Sequence, residues 1–112
     1  MKLIFISGPF RGKDHWVVAQ NVRKSEELAW KVWELGHAAI SPHANTAHFQ
    51  DSLPDRIWLE GDLEILKRCD AVLLCGNWQS SSGTLAEIEF ANSNNIPIFS
   101  DINDIFKRFL EG

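Results

Sequence analysis

Tyrosine is absent from this 112-residue chain, so no site in it has a phenol hydroxyl. There are only 2 cysteines, Cys69 and Cys75, one closing a helical segment and one in an apolar run. That is no disulfide framework, and both read as reduced, buried thiols that pack as small hydrophobes. No apolar run approaches the ~18 residues of a membrane span. The apolar run after Lys2 stops at Gly8, too short for a signal peptide, so a cytoplasmic protein is expected. A basic excess is also missing. The net charge of −4 argues against a general nucleic-acid binder or a membrane-surface protein. Repeats, linkers and low-complexity segments are lacking, and the length suits one domain, residues 1–112.

What is present alternates. Lys2–Ser7 is apolar without alternation, as in a strand buried on both faces. Asp14 to Leu35 has helical spacing and stops at Gly36. His37–Ser41 reads as a second strand. Pro42 to Pro54 shows little periodicity and reads as a loop. A helix over 55–68, a strand over 71–75, a polar loop over 77–82, a helix over 83–94, a strand over 96–99 and a last helix capped by Asp101 complete the chain. The order β-α-β-α-β-α-β-α predicts a three-layer α/β fold of flavodoxin-like type. Its sheet is small and parallel, four strands in order 2-1-3-4, with helices on both faces. Ligands in such sheets bind beyond the carboxyl ends of the strands at the switch point, here between the first and third strands. Gly8–Gly12 and Asn77–Gly83 follow those two strands.

Several familiar constellations are excluded. Gly8-Pro9-Phe10-Arg11-Gly12-Lys13 is one residue too short between glycines for a P-loop, and Asp14 stands where Ser or Thr belongs. It reads as a tight turn, or as a phosphate site in which Arg11 forks onto the anion and Gly12 lets the backbone approach. No Gly-x-Ser-x-Gly elbow exists, and no His follows Ser81 and Ser82. His43, His48 and Asp51 match no zinc spacing. Ser81-Ser82-Gly83-Thr84 reads as a helix N-cap or as an anion cradle at a helix start. Glu87 and Glu89 lie on different faces of that helix. The helix dipole is expected to keep Glu87 ionised, which suits a nucleophile better than a general acid. Periodicity alone makes Asp62 a solvent-facing residue and Asp70 a helix-to-strand corner. Trp30 and Trp33 read first as core, second as a subunit interface.

Together these residues resemble the nucleoside 2-deoxyribosyltransferase superfamily, in particular its small phage and bacterial members. They also resemble the branch that hydrolyses the N-glycosidic bond of nucleoside 5′-monophosphates. The resemblance runs from Ile4 to Ile98. It rests on Gly8-x-x-Arg11-Gly12, Ser41-Pro42-His43, Asp62 eight residues before Asp70-Ala71-Val72, and Ser81-x-Gly83-x-x-x-Glu87-x-x-x-Ala91. It implies that Glu87 is the nucleophile at C1′ of the sugar and that Asp62 protonates or holds the leaving base. It further implies that Gly8, Arg11, Gly12, Ser81 and Gly83 bind a 5′-phosphate, and that Phe5, Phe10 and His43 line the base and sugar pocket. No metal or other cofactor is implied, and a homodimer acting on a small nucleotide or nucleoside is. Two departures stand out. Phe5 replaces the family's first-strand Tyr, so the hydroxyl that orients Glu87 is expected to be missing. The chain is also short after Ile98, where relatives reach into a neighbour's site. A non-catalytic nucleotide-binding module, or a phage or host interaction protein on the same fold, remains as an alternative.

Overall fold

A computed structural model describes residues 1–49 and 51–110. Four parallel strands form one sheet among the described residues: β1 (Leu3–Ser7), β2 (Ala38–Ile40), β3 (Ala71–Leu74) and β4 (Ile98–Phe99), in the order β2-β1-β3-β4. The expected order is therefore the observed one. Helices α1 (His15–Glu34), α2 (Pro42–Asn45), α3 (Asp55–Lys67), α4 (Ser82–Ser93) and α5 (Ile102–Arg108) connect and follow them. None is long and apolar enough to cross a membrane.

The apolar run of β1 is split between two cores, because successive side chains leave a strand on opposite faces. Ile4 and Ile6 join Leu73 of β3, Val32 of α1 and Ile105 of α5. Phe5 joins Val72 and Leu74 of β3, Leu66 of α3 and Ala91 of α4. Thus α1 and α5 cover one face and α3 and α4 the other. By the same alternation Ser7, the last residue of β1, faces α3 and α4.

Some expectations shift. The segment 42–54 is not all loop, since Pro42–Asn45 forms a short helix with Pro in its first turn, where a missing N–H costs nothing. The last strand starts at Ile98 rather than Ile96, because the Ile96 amide closes helix α4 onto the Ala91 carbonyl, 2.9 Å away. Trp30 and Trp33 are not core: they are 63% and 54% exposed on the outer side of α1, beside edge strand β2. Cys69 and Cys75 are buried and free, as expected, and burial pushes the Cys69 thiol up to about 11. The final two residues, 111 and 112, with which the expected domain and C-terminal segment end, lie outside the described residues, as does residue 50 in the expected 42–54 loop.

Candidate active site

The ends of β1 and β3 bring two loops together. The amide of Cys75 donates to the Ser7 carbonyl at 2.8 Å. At Gly8 the neighbouring chain passes so close that a Cβ would lie 2.5 Å from the Cys75 carbonyl oxygen. Gly8 is therefore required by the close approach of the two strand ends. Gly12 is required for a similar reason, because a Cβ there would overlap the Val17 side chain of α1. The loop between them is tied down from two sides. The His43 Nε2–H of α2 donates to the Gly8 carbonyl, and Asn21 Nδ2 of α1 donates to the Phe10 carbonyl at 3.1 Å. The His43 and Phe10 rings touch, with centroids 5.2 Å apart. Burial holds the His43 pKa below its usual value, against the opposing pull of the Gly8 carbonyl. His43 is thus a neutral donor that fixes the loop.

Above the second loop, Ser81 caps α4. Its hydroxyl accepts from the Thr84 amide at 3.2 Å and from Thr84 Oγ1 at 3.0 Å. This is the capping use of the serine, a hydrogen bond that satisfies a helix-start amide. Gly83 is different from Gly8 and Gly12. A Cβ there would meet nothing closer than ordinary contact, so packing leaves its surroundings open.

Helix α4 buries three residues, Thr84, Glu87 and Ala91. The spacing of three and four places them on one stripe. A carboxylate therefore sits where an apolar side chain belongs, while Leu85 is 46% exposed. Glu89 is exposed, on a different face as expected. Glu87 is 9% exposed, and its Oε1 accepts a 2.5 Å hydrogen bond from the buried Ser7 hydroxyl. Desolvation pushes the Glu87 pKa up to about 7; the Ser7 bond opposes this and the charge of Asp62 adds to it. The expectation that the helix dipole keeps Glu87 ionised is thus overturned. Glu87 is the sixth residue of α4, past the first turn where the dipole acts, and burial dominates.

Asp62 is arranged the same way on α3. It precedes Leu66 and Cys69, both buried, by four and seven residues, so it tops the stripe that α3 packs inward. It is half-buried rather than solvent-facing, and desolvation raises its pKa to about 6. Because α3 and α4 pack together, the charge of Asp62 reaches Glu87 and raises it further. Perturbed acids gathered at the carboxyl ends of parallel strands mark a candidate site with a physical cause.

The other expected residues divide. Phe5 leaves the pocket: its ring has no exposed surface and packs in the core beneath Ser7. Asp70 is the expected corner, accepting from the Leu3 amide at 2.8 Å. Arg11 stands exposed and paired with Asp55, the first residue of α3. Sequence reading missed Asp55. It also missed Ser7, the hydroxyl that the absence of tyrosine seemed to remove. Ser7 lies two residues after Phe5 on the same strand face, and nothing local in the sequence distinguishes it from any serine at a strand end.

A family model covers residues 2–101, and its description is a domain of unknown function, DUF7768. The chain belongs to the DUF7768 family. No protein of curated function matches it. Among solved structures, a 2-deoxyribosyltransferase of the psychrotolerant bacterium Bacillus psychrosaccharolyticus is similar at a TM-score of 0.63 and 22% identity. The match covers 86% of this DUF7768 chain and 69% of that one. At that identity the likeness establishes a shared fold.

The burial of Glu87 has a consequence for stability. A carboxyl whose folded pKa is about 7 against an ordinary 4.5 binds its proton more tightly when folded. Its contribution is intact below about pH 4.5 and is lost as pH rises through 7, by about 3 kcal/mol. Glu87→Gln removes that decline. Thermal melts should show Glu87→Gln more stable than wild type at pH 8 and near parity at pH 4.5. A variant less stable than wild type at pH 8 contradicts the burial cost.

Proposed function

We propose that this chain breaks the N-glycosidic bond of nucleoside or deoxynucleoside 5′-monophosphates, with Glu87 as the nucleophile and Asp62 as the acid. The observation that carries the reading is the pair of raised carboxylates, one of them held by a buried hydroxyl. The structural likeness to a 2-deoxyribosyltransferase supports the same class of glycosyl transfer. In the first step a Glu87 oxygen bonds to C1′ as the C1′–N bond breaks, and the Asp62 proton passes to the departing base. In the second, Asp62 takes a proton from water, the oxygen of that water bonds to C1′, and Glu87 leaves as a carboxylate. The products are free base and sugar phosphate. A second base in place of water gives transfer.

The two pKa values bear on how the pair works. Burial raises both carboxyls, Glu87 to about 7 and Asp62 to about 6, so the pair shares a proton near neutral pH. The productive form is the one with the proton on Asp62 and the charge on Glu87. A base seated against Asp62 excludes water from it, raises it further and moves the proton toward the acid.

The same reading gives the substrate's phosphate to the Gly8–Gly12 loop, with Arg11 exchanging the Asp55 carboxylate for the phosphate. Arg11→Ala should weaken nucleoside monophosphate binding by about 1.5–3 kcal/mol, the scale of a charge-assisted hydrogen bond, and leave nucleoside binding unchanged. Calorimetry that finds equal affinity for phosphorylated and unphosphorylated ligands in wild type would remove the phosphate from the reading. A second copy of the chain belongs to it as well, with Trp30 or Trp33 in a symmetric interface. Analytical ultracentrifugation at micromolar concentration should find a dimer, and a monomer would contradict this. For the reaction itself, base release from a panel of nucleotides, followed by chromatography over hours, is the test. No release from any of them sinks it.

A further inference from the structure

We propose that Ser7 is the positioning residue of Glu87, a role that rests on the glycosidic reading: its hydroxyl fixes one carboxylate oxygen and leaves the other for C1′ of the sugar. Ser7 has no exposed surface. A buried hydroxyl is costly unless it is hydrogen-bonded, and this one finds its partner in a side chain 80 residues away. Packing does not need the oxygen, since the two preceding residues on β1 show that apolar side chains fill both faces there. The backbone of Ser7 is rigid. It ends β1 in register with Leu74, and its carbonyl is held by the Cys75 amide. A donor on a rigid strand end, at 2.5 Å from Oε1, restricts the carboxylate to one orientation.

The bond also selects a charge state. A hydroxyl proton donated to a carboxylate favours the anion, and the Ser7 bond lowers the Glu87 pKa where burial and Asp62 raise it. From α3 the titratable group acting on Glu87 is Asp62. Strands β1 and β3 carry no ionisable side chain within Leu3–Ser7 and Ala71–Leu74. On α4 itself, the buried neighbours Thr84 and Ala91 are neutral. Ser7 is therefore the strand-borne counterweight to burial, and it shifts the shared proton from Glu87 toward Asp62. That hydroxyl meets the need that a first-strand tyrosine was expected to meet, from two residues further along the same strand face.

The test uses Ser7→Ala, with Ser7→Cys as a near-isosteric variant bearing a weak donor. Carbon-13 NMR of the glutamate side-chain carboxyls, with the Glu87 signal assigned by its loss in Glu87→Gln, reads the titration without substrate. In Ser7→Ala the Glu87 midpoint should rise by about one pH unit or more, with Ser7→Cys between it and wild type. On nucleotide substrate, kcat should fall about ten- to a hundredfold with KM nearly unchanged, and the acid limb of the pH profile should move up in parallel. A Glu87 midpoint and a kcat both unchanged in folded Ser7→Ala would overturn the role of Ser7 while leaving an active wild type as a glycosidase. A shifted midpoint in a protein that releases no base would instead remove the glycosidic reading, and with it a catalytic purpose for the Ser7–Glu87 bond.

Discussion

Glu87→Ala abolishes turnover: base release from nucleoside monophosphates falls roughly 10³-fold or more, as for loss of a covalent nucleophile. The fold persists, because the variant removes a buried carboxylate that is 9% exposed and raised to about 7. Phosphate affinity persists too, since Arg11 and the Gly8–Gly12 loop are untouched. Glu87→Gln behaves alike in activity, because the amide keeps the shape and cannot become the anion. Circular dichroism beside the rate assay separates lost chemistry from lost structure. Folded variants that release base as fast as wild type would leave a nucleotide-binding module in place of the enzyme.

Asp62→Asn lowers kcat by about 10²–10⁴-fold on substrates with poor leaving bases, the range for loss of a general acid. The loss shrinks with bases that leave unprotonated. Wild-type activity against pH is bell-shaped, highest between the two pKa values of about 6 and about 7. The rise follows the first ionisation of the pair, and the fall follows the loss of the proton that the base must receive. With bases that need no proton the falling limb is absent, and Asp62→Asn keeps the rising limb set by Glu87. An Asp62→Asn rate that ignores the leaving base would take the acid's role away from Asp62.

The layout of the sheet was legible because punctuation marks it. Gly8-Pro9, Gly36 and Pro42 end their elements, and the apolar runs 3–6 and 71–75 have no polar face, so both had to be central strands. Helix α2 was not legible, since four residues are too few for periodicity to speak. The start of β4 was misjudged because Ile96 is buried yet spends its amide on α4. At the site, Glu87 stood out for its position in the helix, but the balance of forces on it was misread. The dipole at a helix start is visible in sequence, whereas burial among residues from other elements is not. Asp62 shows the same blindness, since only the packing of α3 reveals that its face turns inward. Ser7 was hidden differently. A hydroxyl at the end of a strand is unremarkable until a carboxylate 80 residues away is seen to accept from it. Trp30 and Trp33 erred the other way, as large aromatics at helical spacing that the fold leaves outside.

The most direct measurement is a search for the covalent intermediate. A nucleoside monophosphate with fluorine at the sugar 2-position destabilises the positive charge that develops at C1′ and slows both steps, the release of the intermediate included. Incubated with wild type and digested, it should leave a peptide containing Glu87 heavier by the fluorinated sugar phosphate, with the mass on Glu87 itself. The adduct should be absent from Glu87→Gln. Base released from wild type with no adduct on Glu87, or an adduct on another carboxylate, would contradict the assignment of Glu87 as the nucleophile.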